Sequence, residues 1–175
     1  MRINAWMSIP LASYLASGQL PGRAGSGVRE IVPYQAYETT DGYIMVASGN
    51  DNLFQRLCQA IGRPDLGADP RYQRNAGRVE NRDELIAELS ATFATHPIAH
   101  WMTNLAAVGV PAGPVQTLDQ VVNHPQTIAM GMLTPSPDGS FQTIGLPISF
   151  DGTRPTTTAL APTLGQHDRL VLGKG

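Results

Sequence analysis

Gly22, Gly25 and Gly27 set a G-x-x-G-x-G spacing. A glycine loop of this kind can cradle a phosphate or close over a site as a lid. A dinucleotide site needs G-x-G-x-x-G between a strand and a helix, with the phosphate on the helix N-terminus. Here the order of glycines differs, a strand-like segment follows, and no Gly-Lys-Ser is present. Classical nucleotide binding is therefore set aside. A lid remains, because glycines leave few side chains to restrain closure; a plain connector is its rival. Gly25, Ser26 and Gly27 are the candidate lid residues.

The other reactive residue types are read as structural. His96 and His100 stand four apart at a helix start, a spacing that can hold zinc. No H-E-x-x-H or cysteine pair completes a site, so capping is the preferred role and no metal is expected. His124 precedes a proline at a helix boundary, and His167 could face a ligand but stands alone. Cys58, the one cysteine, falls on the core face of a helix, where thiols are inert. Gly25-Ser26-Gly27 is not a nucleophile elbow. Asp41, Asp51 and Asp151 fall at turns or helix starts, where carboxylates cap backbone N–H groups. No catalytic residue is assigned.

The elements around these residues are short. Fourteen prolines and eighteen glycines punctuate 175 residues, predicting a mixed α and β domain. Residues 5–17, including Trp6, read as a helix with an apolar face, stopped by Gly18. Ile31–Tyr37 and Gly42–Ala47 read as strands of a hairpin turning at Thr40-Asp41-Gly42. A helix over 52–61 carries Leu53, Leu57 and Ile61, with Asn52 and Gln55 as a capping box and Gly62 and Pro64 as stops. Asn81 with Glu84 is a second capping box, opening a helix with Leu85, Ile86, Leu89 and Phe93 inward. His96-Pro97 opens a third helix with Ile98, Trp101, Met102, Leu105 and Val108 buried and Gly109 as its stop. Residues 110–115 are extended. Short helices follow at 118–122 and 125–130, then strands at 132–134 and 141–144 about Pro137-Asp138-Gly139. Residues 153–164 are a Thr- and Pro-rich tail.

Composition narrows the class. Twelve basic and fourteen acidic residues give a net charge of −2, and the basic residues are scattered, which excludes a nucleic-acid face. No apolar run reaches the ~20 residues of a membrane helix, and no signal-peptide pattern opens the chain. A cytoplasmic protein without an internal disulfide is expected.

Three stretches together resemble family III CoA-transferases, the CaiB/BaiF group that includes formyl-CoA and carnitine-CoA transferases. They are Ile31–Tyr37 through Asp41–Asp51, Leu57–Leu66 with Asp69–Tyr72 and Asn75–Arg82, and Ala107–Val115 with His124-Pro125-Gln126 and Gly131-Met132. The tail Pro162–His167 is similar to that family's closing Leu-Gly-Glu-His, with Gln166 in place of glutamate.

The resemblance implies an α+β small domain, an antiparallel sheet with packed helices, at residues 28–110. It implies a crossing helix and glycine loop at 1–27 and a returning C-terminal segment at 111–175. The resemblance also implies coenzyme A as the family's substrate, none of it covalently bound, and a large domain carrying an aspartate nucleophile that matches no residue here. This chain is then a fragment or subunit, inactive alone, whose partner is a large subunit or another copy of itself. In relatives a glycine loop at Gly25-Ser26-Gly27 closes over the site; many carry His-Pro where Val28-Arg29 stands. Racemases of the same fold carry a glutamate near Asn52, which is missing here. The alternatives are a non-catalytic, self-associating binding module and an acyl-CoA racemase-like isomerase.

Overall fold

The computed structural model describes residues 7–20, 22–156 and 159–173. Trp6 and Pro21 lie outside the described residues, as do residues 157 and 158 of the tail. The chain divides into two compact units, Met1–Val115 and Gln116–Gly175.

Helix α1 (Ser8–Ser17) opens the first unit, and Gly18 closes it in the left-handed conformation, its N–H reaching the Tyr14 carbonyl. Strands β1 (Tyr34–Thr39) and β2 (Gly42–Ala47) form the expected hairpin, with Tyr37 opposite Ile44 and Gln35 opposite Val46. Strand β3 (Ala112–Pro114) adds antiparallel to β2, Met45 facing Gly113, so the sheet order is β1-β2-β3. The extended residues after Val110 thus belong to this sheet.

Five helices follow the hairpin: α2 (Asp51–Ala60), α3 (Pro64–Ala68), α4 (Asn75–Glu80), α5 (Arg82–Phe93) and α6 (Ile98–Ala107), with a 3-10 turn at Pro70–Tyr72. Helix α5 packs on β1, and α6 on β2 and β3. The core joins Tyr37, Ile44 and Val46 of the sheet to Phe54, Leu57, Leu89, Phe93, Trp101 and Leu105 of the helices. Alternation along β2 and the three-to-four spacing along α5 send these side chains one way. Tyr37 stacks on Phe93, and Trp101 meets Phe93 edge-on while its indole N–H donates to the Phe93 carbonyl at 2.9 Å. This is an α+β fold, a small antiparallel sheet with helices packed on it.

Two expected caps are replaced. Helix α2 is capped by Asn50, whose side chain accepts from the Leu53 N–H at 2.9 Å, and Gln55 instead donates to the Gly67 carbonyl. Asn81 makes no side-chain cap on α5; its amide donates to the Gly77 carbonyl, and Glu84 pairs with Arg71. Both residues find better tertiary acceptors or cations than the local N–H groups.

The second unit holds α7 (Leu118–Val122), α8 (Pro125–Ala129), the hairpin β4 (Leu133–Pro135) and β5 (Gln142–Ile144), and α9 (Asp168–Leu172). Arg154 donates to the Met130 and Gly131 carbonyls at 3.0 and 2.8 Å, satisfying the C-terminal end of α8. Asp138 accepts from Ser136 and Ser140 within the hairpin turn. Among its described residues no large apolar side chain is buried, and Leu118, Ile144, Leu164 and Leu170 stand open.

Candidate functional site

The glycine loop lies along the free edge of β1. Gly25 takes a left-handed turn, φ +58°, with open space where a side chain would stand. The Gly27 N–H donates to the Ala24 carbonyl at 2.9 Å and tightens that turn. Past it, the loop pairs with the strand. The Ala36 N–H donates to Ser26 Oγ at 3.1 Å, and the Val28 N–H donates to the Tyr34 carbonyl at 3.0 Å. An open strand edge invites pairing with foreign strands, and the loop occupies these two groups.

What holds the loop there comes from one side of α4 and its continuation into α5. Asn75, Arg78 and Arg82 are spaced three and four apart, so their side chains rise together. Asn75 accepts from the Val32 N–H at 3.1 Å and donates to the Glu30 carbonyl at 2.7 Å, copying a strand partner. Arg78 is wholly buried. Its Nε donates to the Val32 carbonyl at 2.6 Å and its Nη1 to the Tyr72 carbonyl at 2.9 Å. Its Nη2 meets Asp51 at 3.0 Å, an ion pair whose angle falls short of an aligned hydrogen bond. The guanidinium also lies 4.6 Å over the Phe54 ring. Burial pushes the Arg78 pKa down, and Asp51 works against that shift. Burial acts to raise the Asp51 carboxyl, but the close guanidiniums of Arg78 and Arg74 outweigh it, and the net direction is down.

Arg82 completes the ladder. Its Nη1 donates to the Val28 carbonyl at 2.9 Å and its Nη2 to Gln35 Oε1 at 3.3 Å. Gly27 makes room for it: a β-carbon there would lie 2.6 Å from Arg82 Nη2 and 3.2 Å from Gln35 Oε1. Among the described residues Arg82 has no carboxylate partner, unlike Arg63, Arg71, Arg74 and Arg78. Nearby, burial drives the Tyr37 hydroxyl far above its ordinary pKa while the Arg82 charge pulls the other way.

Gly25, Ser26 and Gly27 are therefore brought together with Gln35 and Arg82, two residues that sequence reasoning missed. The 75-78-82 spacing was the signal that could have found Arg82.

The remaining candidates fall elsewhere. Cys58 is buried, its thiol pushed up to about 12 chiefly by burial, with Asp65 adding to the rise. His96 and His100 stack face to face at 4.1 Å, both edge-on to Trp101, and their ring nitrogens meet Thr95 and Asn104. Among the described residues no three His, Cys, Asp or Glu side chains gather as a metal site. His124 caps α8, its Nδ1 accepting from the Gln126 N–H at 3.1 Å. His167 precedes α9 without a side-chain cap. Asp41 accepts from the Ile98 N–H at 2.8 Å and caps α6, and Asp151 sits in a turn with φ +49°. Among the described residues no carboxylate is buried. No helix there is long and apolar enough to cross a membrane.

Comparison with known proteins shows what the chain is similar to. The family model described as CoA-transferase family III matches residues 2–168. An acetyl-CoA:oxalate CoA-transferase of Acetobacter aceti is 34% identical over 148 residues, covering 85% of this chain and 38% of that protein. A human succinyl-CoA:glutarate CoA-transferase is 32% identical over 171 residues, covering 96% of this chain and 39% of that protein. The crystal structure of a CAIB/BAIF family protein from Brucella suis superposes with a TM-score of 0.75 at 34% identity, over 95% of this chain and 44% of that one. The chain thus spans about two fifths of the length of these relatives.

Proposed function

This chain belongs to CoA-transferase family III, and we propose that it forms the small domain and returning segment of an acyl-CoA:carboxylate CoA-transferase. The nucleophilic aspartate then stands on polypeptide outside these residues. Its carboxylate oxygen bonds to the acyl carbon of a thioester, the C–S bond breaks, and CoA leaves as the thiolate. The acceptor carboxylate then attacks the aspartyl carbonyl of the mixed anhydride and expels the donor acid as its carboxylate. The thiolate attacks the acceptor's acyl carbon, forming the new thioester and releasing the aspartate. Splitting the exchange this way lowers each barrier, but the anhydride must be kept from water. The Gly25–Gly27 loop is the residue set that serves as its cover.

The observation that carries this reading is the state of the carboxylates. A nucleophile of this kind works in a dry cleft, whereas every carboxylate among the described residues is at least partly exposed. Asp51, Asp65, Asp69, Glu84 and Glu88 are bound to arginines. The chain alone is accordingly without turnover. Coenzyme A enters as a substrate of the assembled protein, in the cytoplasm, with no nucleic-acid or membrane partner. Purified chain given succinyl-CoA and oxalate or glutarate is expected to produce no new thioester. Exchange that a single carboxylate-to-amide substitution abolishes would overturn the reading.

A second reading, a self-associating binding module, is favoured by the open apolar side chains of α1 and of the second unit. Ile9 and Leu15 are 75% and 74% exposed, and Leu170 is 84% exposed. Bare patches of that kind attract partners, either a separate large subunit or a second copy. Sedimentation mass tests it; a monodisperse monomer at all concentrations counts against self-association.

A further inference from the structure

We infer that Arg82 is a positioning residue: it latches the C-terminal anchor of the glycine loop to β1 and so fixes the hinge about which that loop swings. The inference rests on reading Gly25–Gly27 as a lid.

The loop's two ends are held differently. Around Gly25 there is open space where a side chain would stand, while the Arg29 side chain lies against Gly22. From Ser26 onward the chain is tied to β1 through the Ala36 and Val28 N–H groups. Those two bonds alone are neutral and partly exposed, and bonds of that kind open readily. Arg82 adds a cationic donor to the Val28 carbonyl and, through Nη2, ties that same guanidinium to Gln35 on β1. Loop, strand and helix α5 then meet at one planar group, and a planar fork fixes direction as well as distance. Gly27 leaves the room this junction uses, since a β-carbon there would push Arg82 Nη2 aside.

Among the described residues the guanidinium has only neutral acceptors. A carboxylate partner would hold it in place of the loop, whereas carbonyl and amide oxygens leave the loop as its principal partner. A lid hinged here moves at Gly22–Gly25 while its root stays on the sheet.

The test is amide hydrogen exchange on the purified chain, comparing wild type with R82M, R82K, G27A and R82M/G27A. The inference expects the Val28 and Ala36 amides to exchange at least about tenfold faster in R82M, with the core amides of Ile44 and Leu89 unchanged. R82K keeps one donor direction and recovers part of the protection. G27A reproduces the R82M effect with arginine still present, and the double variant adds little further, because both changes act on one contact. Unchanged protection at Val28 and Ala36 in R82M and G27A overturns the latch. Fully additive effects overturn it as well. Exchange is read without CoA, so the latch can fail while the transferase reading stands. Conversely, if R82M in the assembled transferase leaves the ratio of thioester hydrolysis to transfer unchanged despite faster exchange, the lid reading beneath it is overturned.

Discussion

Replacing Arg78 by methionine tests whether the clamp on residues 28–33 organises the first unit. Methionine keeps an apolar stem against Phe54 but carries no donor. Two buried carbonyls, Val32 and Tyr72, lose their partners. Each stranded buried acceptor costs about 1–3 kcal/mol. Asp51 loses Arg78 as well, but its side chain is one-third exposed and keeps Arg74, so it rehydrates at little cost. Removing the buried cation also relieves its desolvation, which offsets part of the loss. The net expectation is a destabilisation of about 2–4 kcal/mol, two stranded carbonyls less the relieved desolvation. At about 4 °C per kcal/mol for a domain of this size, that corresponds to a melting point lower by roughly 8–16 °C. Urea unfolding followed by circular dichroism measures it as a lower midpoint at constant slope. Asp51→Asn keeps both carbonyl contacts but leaves the buried Arg78 guanidinium without its carboxylate, so it too is expected to lower the midpoint. A loss below about 1 kcal/mol in R78M would refute the reasoning, since two buried carbonyls would then have found other partners.

The same geometry makes further predictions. Gly77→Ala places a β-carbon against the Arg71 carbonyl; the α4 helix must shift, and urea unfolding is expected to show a loss of about 1–3 kcal/mol. The Asp138 carboxyl is held down at about 2, first by the Ser136 hydroxyl and then by the Ser140 N–H and hydroxyl. Its folded pKa lies below its unfolded value, so its contribution to the β4–β5 hairpin is present above pH ~4 and lost as pH falls through about 2. The Ser140 amide shift is expected to titrate in that window, and a midpoint near 4 contradicts the bond pattern. Cys58, buried and with its thiol pushed up to about 12, is expected to resist a thiol reagent in the native chain and to react once urea unfolds it. Fast labelling of native protein contradicts that burial.

Much of this fold was legible because its signals are local. The β1–β2 hairpin showed in its apolar runs about Asp41-Gly42, and α6 in the spacing of Trp101, Met102 and Leu105. Gly18, Gly109 and Gly131 end helices where a left-handed residue is needed. Cys58 lies on the core face that its neighbours Leu57 and Ile61 implied. Other features were hidden because long-range contacts decide them. Helices α3 and α4 are short and carry little apolar periodicity; ion pairs and carbonyl contacts by Arg63, Arg71 and Arg78 secure them. Asn52 and Asn81 look like caps by spacing, yet Asn50 stands at the true start of α2 and Gly77 draws the Asn81 amide. Helix α9 lies beyond the Thr- and Pro-rich tail at 153–164, in a stretch to which the sequence assigns no element, its apolar residues being too few to show a period. At the candidate site the glycines were visible and their partners were not. An arginine forty-seven residues beyond Gln35 leaves no local mark of where its guanidinium will go.

The central claim is that these residues form one part of a CoA-transferase and need the part that carries the aspartate. Complementation tests it most directly. The purified chain is mixed with separately produced polypeptide matching the large domain, and thioester exchange between succinyl-CoA and a dicarboxylic acid is followed by mass. Neither part is expected to turn over alone, and activity is expected to appear on mixing and to saturate as the two reach equal concentration. Undiminished exchange by the large domain without this chain, or steady exchange by this chain without it, would contradict the account.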